Sequence, residues 1–164
     1  MPSGHVHTII NFSALAAAWI GVTALRLPLP DAALTATFIG TYVIGTLLIT
    51  PDLDLGEQRV AARNNWGALG WIWIPYGVMS RHRGLNHTYL IGPALRLAYL
   101  LLIAAALHAL IGSVWPAAAA WRLPALDGPV LLAAAAGYWI SQALHLMADG
   151  IHPFSELQLR ESKS

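Results

Sequence analysis

The chain has 164 residues, enough for one domain, of which 57% are hydrophobic and only 10% charged, with a mean hydropathy of +0.57. Ordinary soluble domains carry roughly 25% charged residues, so this composition places lipid among the solvents of the chain. A formal charge of +1 is too small to suggest a nucleic-acid partner, which needs a dense basic face, and the lack of cysteine excludes disulfides, thiolate ligands and thiol catalysis.

In chain order, Ile9–Leu27 is the first long apolar segment, stopped by Pro28 and Pro30, and Ala32–Ile49 is the second. No basic region precedes the first run and no small-residue cleavage site leads into a polar domain, so it is expected to be retained. Segments of about 17–20 residues rising 1.5 Å per residue cross roughly 30 Å of hydrocarbon. Pro51 disfavours helical geometry at Thr50, so the second helix should end there and release Asp52 and Asp54 into a turn. Leu55–Asn65 is polar. Trp66–Met79 is apolar but short, aromatic and broken by glycine and proline, which suits a re-entrant, interfacial or lid-like segment better than a span. Leu90–Ile111 is the third span, interrupted by Pro93 and Arg96, and Val130–Ala148 is the fourth, ending at Asp149-Gly150. The fold expected is an all-α membrane bundle of about four spanning helices. Residues 1–154 form the single embedded domain and 155–164 a polar tail.

Lysine and arginine set the orientation. Four spans place the N-terminus, the 51–89 loop and the tail on one side, with Arg59, Arg63, Arg81, Arg83, Arg160 and Lys163; Arg26 and Arg122 lie on the other. The excess marks the first side as cytoplasmic, as for an inner-membrane protein of bacterial type. That topology gathers four polar clusters on one face: His5-Val6-His7, Pro51-Asp52-Leu53-Asp54, Ser80–Thr88 with His82 and His87, and His145 with Asp149.

Each cluster has the chemistry of a hard or borderline metal site. His145 and Asp149 are four apart and project from one helical face, with Gln142 a turn earlier. Asp52 and Asp54 follow a helix C-terminus, where negative charge is disfavoured by the helix dipole and calls for a cation, either a metal or Arg59 or Arg63. His82 and His87 are five apart, a poor helical spacing, so Gly84 is expected to bend the chain between them. Ionisable groups at the ends of membrane helices are functional by default. Against this, each cluster alone could be a solvated helix end, an Asx turn or a basic loop on anionic headgroups. His5, close to the N-terminus, reads as exposed, His152 before Pro153 is a weaker ligand candidate, and His108 reads as a hydrogen-bonded core histidine. Arg96 either snorkels to the cytoplasmic edge, the reading favoured, or clamps a phosphate. Imidazole and carboxylate donors suit zinc first, with manganese or iron as alternatives, and one or two ions.

These motifs resemble the YdjM-like family of small membrane proteins, described as metal-dependent hydrolases or metal-binding proteins of unknown function. The resemblance rests on Ser3-Gly4-His5-Val6-His7, Pro51-Asp52-Leu53-Asp54, His82-Arg83-Gly84-Leu85-Asn86-His87-Thr88 and His145-Leu146-Met147-Ala148-Asp149, in that order. The group is distantly similar to zinc-dependent phospholipases C and single-strand nucleases, which use His-x-x-x-Asp for zinc. This chain departs from the family pattern at Asn86 and Thr88 around His87, at Thr8 where an acidic residue is frequent, and at Leu55 where a polar one is.

The resemblance implies a metal-dependent hydrolase, and the placing of the clusters at headgroup depth suits an ester or phosphoester, with lipid as environment and a small-molecule or lipid substrate. His7, Asp52, His82, His87, His145 and Asp149 would hold the divalent ion or ions. Asp54 would serve as general base or bridging ligand, and Arg83 or Arg81 would neutralise charge in the transition state. The alternative is a non-catalytic metal-binding or sensing membrane protein with a closed coordination shell.

Overall fold

The computed structural model describes residues 3–55, 60–80, 84–120, 125 and 127–153. All regular structure among the described residues is helical, with no strand. Four long helices, α1 (Gly4–Ala24), α2 (Ala32–Leu47), α5 (Ile91–Val114) and α7 (Gly128–Ala148), carry the hydrophobic sequence. Between α2 and α5 lie a 3-10 turn at Pro51–Leu55, the short helix α3 (Ala61–Asn65), a 3-10 segment at Gly67–Ile72, α4 (Trp73–Met79) and a second 3-10 turn at Leu85–His87. A single turn, α6 (Pro116–Ala119), follows α5. Four segments, 4–24, 32–55, 91–114 and 128–148, are each long and apolar enough to cross a membrane, which is the build of a membrane protein.

The pattern of burial is that of a bundle meant for lipid. Many leucines and isoleucines point outward, among them Ile20, Leu101, Leu102, Leu110 and Leu132, while much of what is buried between helices is polar, including His7, Asn11, Thr46, Arg96 and Gln142. On α1 the only buried residues are His7 and Asn11, one helical turn apart. Lipid tails are as apolar as leucine, so helices associate through close packing and hydrogen bonds rather than through leucine burial. The α2–α7 pair is the most extensive contact in the molecule. It depends on two glycines. A β-carbon at Gly45 would strike the Ser141 hydroxyl, and one at Gly137 would strike the Phe38 carbonyl and the Thr41 hydroxyl.

Polar groups stitch the same layers. Asn11 Nδ2 donates to Thr46 Oγ1 at 3.1 Å and to the Ser141 carbonyl at 3.0 Å, joining α1 to α2 and α7. Tyr42 Oη donates to the Asn11 carbonyl at 2.7 Å. Asp31 caps α2 by accepting from Leu34 N at 2.8 Å. At the other end of α2, Asn65 Nδ2 and Trp66 Nε1 donate to the Leu47 and Leu48 carbonyls, satisfying acceptors that the last helical turn leaves open.

The aromatic stretch expected to be interfacial, re-entrant or a lid forms short helices against the Pro51–Leu55 turn. Trp73 is fully buried among Ile49, Leu53, Ala62, Tyr76 and Tyr138, and Tyr99 Oη donates to the Ile72 carbonyl. It acts as a floor under the turn that carries Asp52 and Asp54.

Three expectations change. Helix α1 starts at Gly4, five residues before the apolar run, because its first turns bury polar rather than apolar side chains. Arg96 does not snorkel: it is fully buried, and both Nη atoms of its guanidinium bond inside the bundle. His108 is exposed on α5 and is not a core histidine, because that part of the helix has its side chains on the outer surface of the described structure.

Candidate metal centre

The polar clusters meet at one end of the bundle, because α1 and α5 begin there and α2 and α7 end there. His7 comes from the second turn of α1. Asp52 and Asp54 come from the 3-10 turn that Pro51 imposes after α2, and His87 comes from the turn ahead of α5. His145 and Asp149 come from the end of α7. That end is a Schellman stop: Gly150 takes φ 73°, its N–H donates to the Met147 carbonyl, and Ile151 N–H donates to the Leu146 carbonyl. The stop leaves Asp149 as the C-cap, one turn past His145 on the same face.

His7 Nε2 lies 3.1 Å from Asp149 Oδ1, and His145 Nε2 lies 3.6 Å from Asp149 Oδ2 and 3.5 Å from Asp52 Oδ1. The His7 and His145 rings stack, with centroids 3.8 Å apart and planes 12° from parallel. Ligand atoms of His7, His145 and Asp149 fall within 4.8 Å of one another, as do those of Asp52, His87 and Asp149. The Asp149 side chain is 1% exposed. Yet neither of its oxygens, nor His145 Nε2, nor His7 Nδ1 has a partner in hydrogen-bond geometry.

A buried carboxylate without donors costs several kcal/mol, and a helix C-terminus raises that cost. Imidazole nitrogens and carboxylate oxygens converging at these distances without hydrogen-bond angles form a donor set that could hold a metal ion. The residues fit such an ion.

Asp54 takes a different place from the centre. Its side chain is fully buried, and Oδ2 lies 3.2 Å from His87 Nδ1, behind the imidazole. His82, Arg81 and Arg83 lie outside the described residues, as does Arg59. His5 and His152 are exposed.

Around the centre runs a support that the motifs did not reveal. Arg96 Nη1 donates to the Asn86 carbonyl and Nη2 to Gln142 Oε1, both at 2.9 Å, and Gln142 Nε2 donates to the Gly45 carbonyl at 3.0 Å. Tyr76 Oη donates to Asn86 Oδ1, and burial pushes its hydroxyl up to about 12. Thr88 Oγ1 donates to the Leu85 carbonyl and accepts from Gly92 N at 2.9 Å. A β-carbon at Gly92 would strike the Asn86 carbonyl, so α5 starts hard against this loop. The signal in the sequence was an arginine and a glutamine inside apolar spans.

A narrow crevice of about 10 Å³, lined in part by Gly4, His7, Thr46, Thr50, Asp52 and His145, reaches the cluster. That is room for about one water.

Residues 2–158 match the model of a family described as uncharacterized metal-binding proteins, DUF2227. The chain belongs to that family. The family description carries metal binding and no reaction, so the YdjM-like resemblance holds at that coarser level. An uncharacterized protein of Aquifex aeolicus (strain VF5) is 41% identical over 59 residues, 36% of this chain. The match spans 40% of that relative's own length. No solved structure matches the chain.

Proposed function

We propose that the protein is a metal-dependent hydrolase working at the membrane surface, with His7, Asp52, His87, His145 and Asp149 as ligands. The observation that carries the metal reading is the buried Asp149 carboxylate, faced by two imidazoles whose nitrogens approach it without meeting hydrogen-bond geometry. Bound there, a divalent ion, zinc first, would supply Lewis acidity and lower the pKa of its water to about 7.

The chain's own residues divide the remaining work. Asp54, with Oδ2 3.2 Å from His87 Nδ1, is placed to orient that imidazole through its charge, as carboxylates do beside ligand histidines in many metal sites. It is too enclosed to serve as the base once assigned to it. Asp52 is better placed, since its side chain is 20% exposed and its Oδ2 faces Gly4 on the crevice wall. Arg83, four residues before His87, would neutralise substrate charge, and His82 would add a ligand. A groove of about 610 Å³ bordered by Tyr76, Ser80, Asn86, Leu95, Tyr99 and Leu102 runs from beside the His87 turn along the apolar flank of α5. It supports a lipid-derived phosphoester as substrate. The ligand end of the bundle is proposed to face the cytoplasm, on the arginine count.

The second reading is a closed, non-catalytic metal site, favoured by the narrowness of the crevice and the burial of Asp149. Purified protein assayed with lipid and soluble phosphoesters separates the two. The hydrolase reading expects turnover that is lost when the bound metal is stripped with a chelator and returns when Zn(II) is added back. Full metal loading with no turnover on any ester class would leave the closed site.

A further inference from the structure

Five side chains converge here, more than one tetrahedral ion accepts, and the stacking of His7 on His145 decides how they are shared. An imidazole binds a metal along its lone pair, in the plane of the ring. Two rings bound to one ion therefore fan apart. His7 and His145 do the opposite: their planes are within 12° of parallel and their centroids 3.8 Å apart. An ion at the usual distance of about 2.0–2.1 Å from both nitrogens would sit between the planes, far out of each lone-pair direction. Two ions, one in each ring plane, meet no such conflict.

The carboxylate facing the rings is divided the same way. Asp149 Oδ1 is the neighbour of His7 Nε2, and Oδ2 is the neighbour of His145 Nε2. Both oxygens are buried without hydrogen-bond partners. Asp52 Oδ1 stands on the His145 side, 3.5 Å from Nε2. His87 groups with Asp52 and Asp149.

We infer that this is a two-ion centre in which the Asp149 carboxylate bridges one cation held by His7 and a second held by His145, Asp52 and His87. The inference rests on the metal-site reading and extends it. The ring separation matches the roughly 3.5–4 Å between ions in two-metal sites, which act on phosphoesters by holding the attacking and leaving oxygens. Among the described residues the His7 position has the fewer protein ligands, His7 and Asp149 alone. The His7 ion is thus the one open to water or a phosphoryl oxygen, and the other is the anchoring ion.

The test is a Mn(II) titration of the full-length, chelator-stripped protein in detergent, read by bound metal per chain and by electron paramagnetic resonance. Two Mn(II) per chain with a spin-coupled spectrum is the expected result, falling to one uncoupled Mn(II) in His7→Ala. One Mn(II) per chain at saturation, or two that show no coupling, overturns the bridged pair while leaving a metal site. No bound Mn(II), with no zinc or iron in protein as purified, overturns the metal reading itself. The wild-type measurement decides the matter even if the variant fails to fold.

Discussion

Arg96 donates to the backbone carbonyl of Asn86, 2.9 Å away, so a buried guanidinium in the third span holds the residue next to His87. Its other arm reaches Gln142, one turn before His145 on α7. One side chain thus ties both histidine-bearing segments together. Arg96→Met leaves two buried acceptors without donors, at about 1–3 kcal/mol each. The expected outcome in detergent is a lower unfolding midpoint together with weaker metal binding. Arg96→Lys should recover the charge but not the fork, and only part of the loss. Unchanged melting and metal affinity in Arg96→Met would show that the clamp does not support the site.

The α2–α7 contact is set by backbone proximity, and glycines report it. Gly137→Ala places a β-carbon against the Phe38 carbonyl, which cannot move aside as a side chain would. A loss of about 1–3 kcal/mol is expected from such overpacking. Gly40→Ala is the control. Nothing lies within 4 Å of its β-carbon, and the helix propensity gained is worth about 1 kcal/mol. Thermal melts should move in opposite directions for the two variants. A shift of the same sign in both would argue against this packing.

Asp54 and Asp52 are two residues apart but have different neighbours. Asp54→Asn keeps the shape of the Asp54–His87 contact and removes its charge. Isothermal titration of stripped protein with Zn(II) should show affinity reduced about 10–100-fold, as for other groups that orient a ligand from behind. Complete loss of binding would make Asp54 a direct ligand instead.

Burial raises the Tyr76 hydroxyl from 10.0 to about 12. The folded protein therefore keeps a proton between those values that the unfolded chain releases. The contribution to stability is whole below pH 10 and declines as pH rises through about 12. Chemical denaturation from pH 8 to 11.5 should show stability level at first and then falling. Tyr76→Phe, lacking the titrating hydroxyl, should flatten the alkaline limb, and an equal slope in both proteins would contradict this assignment.

The architecture was legible because hydropathy reports spans directly. Pro51, Pro28 and Gly150 punctuate them by rules local to the backbone. The convergence of His7, Asp52, His87, His145 and Asp149 followed from topology: alternate helix ends share a side. Three things were hidden by their three-dimensional nature. The start of α1 was obscured because hydropathy does not count His7 as a buried residue. The split between Asp52 and Asp54 depends on the hand of a single 3-10 turn. Arg96 looks the same in sequence whether it reaches outward or inward, and only Asn86 and Gln142 on other segments decide which. His108 shows the reverse error, where a polar residue in a span proved to lie on the outer surface.

The central claim is that side chains from four helix ends hold a divalent ion through Asp149. Elemental mass spectrometry of gently extracted full-length protein tests it most directly, with Asp149→Asn and the exposed-histidine variant His5→Ala in parallel. The account predicts at least one equivalent of zinc, manganese or iron in wild type and in His5→Ala, with at least tenfold less in Asp149→Asn. Metal below a tenth of an equivalent in wild type after growth in metal-replete medium, or equal content in all three, would contradict it.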